Sequence, residues 1–149
     1  MSYTLESLLA EESSLTVGSF SNDAAWRLGS LLVERARSGK LPIAVGIMRA
    51  GQRLFWYGAE GSGPDNDGWL ERKLRTALRF GHSSLYMGMK IASRDIGIEQ
   101  YGICFGEYSL HGGAVPIVLR GTGLVGALAV SGLDQEEDHR MAAEALAAL

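Results

Sequence analysis

Leu110-His111-Gly112-Gly113-Ala114-Val115-Pro116-Ile117, then Gly121-Thr122-Gly123-Leu124-Val125-Gly126, then Val130-Ser131-Gly132-Leu133-Asp134-Gln135-Glu136-Glu137-Asp138-His139, is the stretch that decides the fold. Its middle piece has the spacing of the dinucleotide fingerprint G-x-G-x-x-G. A working fingerprint follows a strand and opens a helix, so that a pyrophosphate meets free N–H groups at a helix start. Val115 to Arg120 suits the strand. Ala127-Leu128-Ala129-Val130, however, is short and runs into Ser131-Gly132, which describes a second strand bounded by a turn. Only 23 residues follow Gly126, too few for the further βα units of a nucleotide-binding fold. Gly121-Thr122-Gly123 is therefore read as the turn of a β-hairpin, with glycine supplying φ > 0.

Outward from this hairpin the chain alternates helices and strands. Asp134 starts a last helix, with Glu137 three residues on as the partner of a capping box. Met141, Ala142, Ala145, Leu146 and Leu149 form that helix's buried side. Upstream, Thr4 to Ser13 reads as a helix, with Leu5, Leu8 and Leu9 at i, i+3, i+4. Leu15 to Ser19 is a candidate strand. Ser21 or Asn22 caps a helix running to about Arg37 with Gly39 at C′, and its inner stripe is Ala25, Leu28, Leu32 and Ala36. Ile43–Met48, the Ala50-Gly51 turn and Arg53–Tyr57 make a first hairpin. Gly61 to Gly68 is a loop. Trp69 to Phe80 is an amphipathic helix with Leu70, Leu74, Ala77 and Leu78 inward. Ser83 to Ala92 continues as another helix, and Asp95 to Tyr108 has no dominant period. Two hairpins separated by helices make an α+β, layered architecture: one mainly antiparallel sheet with helices packed on it.

The 149 residues favour one domain, 1–149. A 46% hydrophobic and 21% charged composition is that of a globular protein. Net charge of −3 argues against nucleic acid as a partner, which requires excess Lys and Arg. One cysteine, Cys104, excludes an internal disulfide and suits a reducing compartment, and it reads as a small buried hydrophobe. No secretory signal or membrane-length apolar run is seen, so the expected location is cytoplasmic, with no membrane partner.

Several residues could carry chemistry. Arg72, Arg75 and Arg79 fall on one face of the Trp69 helix, with Lys73 beside them. Guanidinium forks there could hold carboxylates or phosphates; a solvated face or ion pairs between subunits would look the same. His111 precedes two glycines, as in esterase oxyanion loops, but no G-x-S-x-G elbow accompanies it. It is a candidate ligand, or a brace for the turn. Asp138 and His139 open the last helix and both point near its packed side, where polar groups need partners. They could tie the helix start to the Gly112 loop. Alternatively His111, Asp138 and His139 meet in one polar site. There Gly112 and Gly113 let the backbone approach closely, and the carboxylate fixes a histidine tautomer. No H-E-x-x-H or C-x-x-C metal signature occurs. Trp56, Tyr57, Trp69, Phe80 and Tyr86 read as core or interface aromatics.

The ordered set of Trp69-Leu70-x-Arg72-Lys73 running to Arg79-Phe80-x-x-Ser83-Ser84, His111-Gly112-Gly113-x-x-Pro116-Ile117, Gly121-x-Gly123-x-x-Gly126 and Val130-Ser131-Gly132-Leu133-x-Gln135-x-x-Asp138-His139 resembles the HbpS-like family. That family takes in the GlcG proteins and the PduO C-terminal domain, and the chain is more similar to its small cytosolic branch of uncharacterised proteins. The resemblance implies a profilin-like antiparallel sheet flanked by helices, and a homo-oligomer. It also implies a small ligand, for which haem is the best candidate. Gly112, Gly113, Pro116, Ser131 and Gly132 match the family's segments directly. If haem binds at the polar site of His111, Asp138 and His139, then His111 or His139 could ligate the iron, and the Arg72 face, with Lys73 and Arg75, could meet the propionates. The competing readings are an oligomeric assembly module without a cofactor, and an enzyme acting on a small acidic metabolite.

Overall fold

Ala44-Val45-Gly46-Ile47, Ala114-Val115-Pro116-Ile117 and Ala127-Leu128-Ala129-Val130 share one alternation, a small residue followed by a branched one. In an extended chain successive side chains leave on opposite faces, so this pattern builds a sheet with one bulky and one flat face. The computed structural model, which describes residues 3–149, shows that sheet. Its strands are β1 (Ala44–Arg49), β2 (Gln52–Gly58), β3 (Ala114–Leu119) and β4 (Gly123–Ser131). They are ordered β2-β1-β4-β3 and antiparallel throughout. The helices are α1 (Leu5–Ser14), α2 (Asn22–Gly39), α3 (Pro64–Phe80), α4 (Ser84–Ala92) and α5 (Gln135–Ala147), with a 3-10 turn at Ile98–Tyr101.

The bulky face, with Val45, Ile47, Val115, Ile117, Leu128 and Val130, packs against Leu28 and Leu32 of α2 and Ala142 and Leu146 of α5. Each fully buried Leu contributes roughly 1.5–3 kcal/mol relative to exposure. The flat face, with Ala44, Ala114, Ala127 and Ala129, receives Leu70, Leu74 and Ala77 of α3. The alanines let α3 lie close to the sheet, which brings its polar flank within reach of the strand ends. A third cluster, around Leu8, Leu85, Met87 and Ile91, joins α1 to α4.

The α+β expectation and both hairpins hold. The G-x-G-x-x-G segment is the β3–β4 turn and the start of β4, with Gly121 and Gly123 at φ 81 and 107. Its third glycine has a packing reason: a Cβ at Gly126 would lie 2.1 Å from Met48 O on the neighbouring strand. Pro116, which has no N–H to offer a ladder, sits on edge strand β3.

Several expectations are corrected. Leu15–Ser19 is no strand; Val17 alone bridges to Leu119, donating to Val118 O at 2.9 Å and accepting from Arg120 N at 2.9 Å. The left-handed residue after α2 is Lys40, at φ 51, while Gly39 is still helical. Helix α3 begins at Pro64, inside the expected loop, because proline is preorganised for the first helical position. In α5, Asp134 accepts from Glu136 N and Glu137 N, but the Glu137 carboxylate pairs with Arg140 and closes no capping box. Leu149 is 42% exposed, and Cys104 is exposed rather than buried.

Candidate functional site

Asp65, Trp69 and Lys73 recur every four residues along α3 and so share one face, with Asn66 beside them. That face meets the β4–α5 turn, Ser131 to Gln135, and the His111 turn that leads into β3. Together these elements line a cavity of about 250 Å³, whose wall also includes Asp138.

At its floor Lys73 and Asp138 form an ion pair, Nζ to Oδ2 at 3.0 Å, with side chains 3% and 2% exposed. Lys73 Nζ donates a second bond to Val130 O at 3.0 Å. Asp138 Oδ2 accepts from Gly132 N at 3.3 Å, and Oδ1 accepts from Leu133 N at 3.0 Å. Burial pushes the Lys73 amine below its usual pKa, against the pull of Asp138. Burial likewise pushes the Asp138 carboxyl up, against the Lys73 charge and the two backbone N–H groups. Both shifts favour the neutral members of the pair.

Gly113 makes room for this arrangement. It has φ 142, and a Cβ there would lie 2.4 Å from Val130 O and 2.7 Å from Lys73 Nζ. Gly112 donates its N–H to Gln135 Oε1 at 3.0 Å, which ties the turn to the start of α5. On the opposite wall Trp69 Nε1 donates to Asp65 Oδ2 at 3.2 Å, and Asn66 Nδ2 donates to Ser131 Oγ at 3.4 Å.

The structure brings His111, Gly112, Gly113, Lys73 and Asp138 together and separates His139 from them. His139 is 1% exposed and faces α1 instead. Its Nε2 lies 2.6 Å from Glu11 Oε1, and its ring meets the Tyr3 ring edge-on at 4.9 Å. Adjacent helix positions point about 100° apart, so Asp138 and His139 reach different sides of α5. Lys73 is not part of the arginine face; it turns inward beneath it. Arg75 and Arg79 hold the irregular segment that follows α4. Arg75 Nη1 donates to Glu107 O at 3.1 Å. Arg79 donates to Gly102 O, Tyr101 O and Tyr108 Oη at 3.2–3.3 Å. Arg72 alone of the three lies over the Trp69 ring, at 4.5 Å.

A second groove of about 280 Å³ adjoins the cavity and shares Trp69 and His111 with it; Arg72, Phe105, Tyr108, Ser109 and Leu110 complete its wall. His111 stands between the two spaces. It is exposed, its ring centroid is 5.1 Å from that of Trp69, and among the described residues its ring makes no hydrogen bond. Larger grooves of about 460 and 610 Å³ run along α2 and β2, but no buried charged pair lines them.

A haem needs an imidazole free to ligate iron, apolar walls, and cations for its propionates. His111, the Trp69, Phe105 and Tyr108 rings, and Arg72 supply that donor set on the second groove. His139 does not fit, because its Nε2 is engaged and its ring is enclosed. The 250 Å³ cavity and the 280 Å³ groove both lie below the usual range for ligand pockets, so the cavity suits a small molecule and the groove would cover only part of a haem.

A family model described as haem degrading protein HbpS-like matches residues 20–147. The chain belongs to the HbpS-like family. A UPF0303 protein of Streptomyces coelicolor is 44% identical over 96% of this chain and 91% of its own length. The crystal structure of Ybr137w protein superposes with a TM-score of 0.90 at 38% identity, covering 99% of this chain and 88% of that one. A PduOC:heme complex superposes at 0.70 with 24% identity, covering 89% and 96%, and shows the shared fold. The family match begins after α1, so the α1 contacts to His139 lie outside it.

Sequence reasoning missed Asp65, Asn66, Trp69, Ser131 and Gln135 as cavity residues. The signal was present: with Pro64 taken as the first helical residue, positions 65, 69 and 73 fall in line.

Proposed function

We propose that this chain is a cytosolic, homo-oligomeric, single-domain small-ligand-binding protein of the HbpS-like family, with haem as the ligand of the second groove. The observation that carries the reading is His111, an exposed imidazole with no side-chain hydrogen bond among the described residues, set against Trp69 where groove and cavity meet. When bound, haem supplies redox-active iron. His111 would ligate the metal, Arg72 would face the propionates, and the aromatic side chains would shield the ring. The PduOC:heme complex among the structural neighbours supports this choice of ligand.

Hemin titration of wild type, His111→Ala and His139→Ala, followed by the Soret band, tests it. A saturable shift in wild type and His139→Ala, lost in His111→Ala, is expected. No saturable shift in wild type removes haem, and a shift unchanged in His111→Ala removes this ligand. Homo-oligomerisation has separate support. Trp26, 66% exposed on α2, lies 5.8 Å from the Phe55 ring and, with Leu54, Trp56 and the exposed Tyr57, lines one groove between α2 and β2, a contiguous apolar patch of the kind that marks interfaces. Light scattering should give a closed multiple of the chain mass. An intact oligomer that ignores hemin would favour an assembly module instead. Among the described residues no helix is long and apolar enough to cross a membrane.

A further inference from the structure

We propose that Lys73 anchors a small neutral carbonyl compound, an aldehyde or ketone, as a reversible imine in the cavity between α3 and the β4–α5 turn. The inference rests on this cavity being a ligand site and is independent of haem.

The Lys73 amine is buried, lines the cavity, and has two of its three hydrogen-bonding directions spent on Asp138 Oδ2 and Val130 O. The third is unspent. In the ammonium it is an N–H; in the free amine it is the lone pair, a nucleophile. Desolvation in this wall works against the ammonium. Stability alone gives little reason for the pair, since well-packed apolar residues commonly replace a buried ion pair at no loss. The backbone also makes room for the amine, because a Cβ at Gly113 would crowd Val130 O at 2.4 Å and Lys73 Nζ at 2.7 Å.

Charge selects the ligand class. Asp138 already balances Lys73, and Asp65 adds a second carboxylate to the wall. A free anion would meet a net negative lining, so an acidic metabolite is the poorer occupant. A neutral carbonyl meets no such barrier, and the Gln135 amide and Ser131 hydroxyl offer partners for hydroxyls near the reacting carbon.

The step balances without an oxidant or reductant. The Lys73 lone pair forms the N–C bond as the carbonyl π bond breaks, and a proton passes from nitrogen to oxygen. Asp138 stands within hydrogen-bond distance of that nitrogen to relay it. The carbinolamine nitrogen's lone pair then forms C=N as the C–O bond breaks, and the second N–H proton passes through Asp138 to the departing hydroxyl, which leaves as water. Hydrolysis reverses it.

The chain has three lysines, so Lys40 and Lys90 are internal controls. The folded protein is treated with propanal and cyanoborohydride, which reduces an imine to a stable secondary amine, and peptides are read by mass spectrometry. Lys73 is expected to label severalfold faster than Lys40 and Lys90 at neutral pH, because burial works against its ammonium. Asp138→Asn, with its fold checked by circular dichroism, removes both the carboxylate that holds the ammonium and the proton relay, and should change the labelling rate of Lys73 alone; an unchanged Lys73 rate would overturn the role given to Asp138. Labelling of Lys40 and Lys90 with Lys73 modified only after unfolding would overturn the proposal. Pyruvate labelling Lys73 faster than propanal would overturn the neutral ligand class. The hemin titration fails or succeeds separately.

Discussion

Lys73 and Asp138 stand 65 positions apart in the chain and 3.0 Å apart in space, joining α3 to α5 beneath the end of β4. The pair is nearly closed to water, so its two halves are unequal to its whole. Asp138→Ala leaves an uncompensated buried ammonium and should cost about 3–5 kcal/mol. The double variant Lys73→Met, Asp138→Leu should recover most of that loss. Urea denaturation of the three proteins checks both; a double variant no more stable than Asp138→Ala would show that the site tolerates no apolar filling.

Gly113 and Gly121 both have positive φ, at 142 and 81, but their surroundings differ. A Cβ at Gly113 meets Val130 O and the Lys73 side chain, while one at Gly121 meets nothing within 4 Å. Gly121→Ala should cost roughly 1–2 kcal/mol of backbone strain. Gly113→Ala adds a backbone clash and should reach or pass the upper end of the usual range of about 0.5–3 kcal/mol. Equal thermal shifts would mean that the Lys73 wall yields easily.

The fold was legible where a periodicity ran unbroken. The alternation Ala127-Leu128-Ala129-Val130 and the stripe Ala25, Leu28, Leu32, Ala36 report burial directly, because each side chain's direction follows from backbone geometry. What the sequence hid depends on long-range neighbours. Lys73 looks like part of a basic face, since only Asp138, far along the chain, explains its turn inward. Leu15 to Ser19 looks like a strand, yet only Val17 bridges to the edge of β3. Asp138 and His139 look like one polar pair in the sequence, yet the helix sends one to the cavity and the other to α1.

Arg79 fastens the Asp95–Tyr108 segment through Gly102 O, Tyr101 O and Tyr108 Oη. This segment has little regular structure and few buried side chains, so its order depends on such anchors. Arg79→Ala should speed proteolytic cleavage within it, while global stability moves by only about 0.5 kcal/mol, as for other exposed positions. Limited proteolysis and a melting curve on the same sample separate the two effects.

Among the described residues His139 is the most enclosed ionisable group outside the cavity, and Glu11 is the one side-chain hydrogen-bond partner found for it, with none at Nδ1. Glu11→Ala therefore leaves a buried imidazole with neither nitrogen satisfied and should cost about 1–3 kcal/mol. Adding His139→Leu removes the orphaned groups and should return part of that loss. The neighbouring pair, Glu12 with His82 Nδ1 and Ser83 N, both at 2.7 Å, keeps α1 attached in each variant. Chemical denaturation of the single and double variants gives the comparison. Equal stability of the two would remove the orphan-nitrogen account.

Tyr3 gives the same corner a dependence on alkaline pH. Burial raises its phenol above its usual value of 10.0, and Glu11 adds to that, while Arg140 opposes it. A group whose folded pKa is raised contributes stability that is complete below the unfolded value and is lost as pH rises through the folded one. The loss should therefore begin above about pH 10. It should fall on α1, which the phenolate would expose to repulsion from Glu11. Tyr3→Phe keeps the ring edge against His139 and removes the ionisation. Above that pH the melting temperature of wild type should drop more steeply than that of Tyr3→Phe, with the two curves parallel below it. The other tyrosines are common to both proteins and cancel in the difference. Parallel curves across the whole range would show that Tyr3 ionises without disturbing α1.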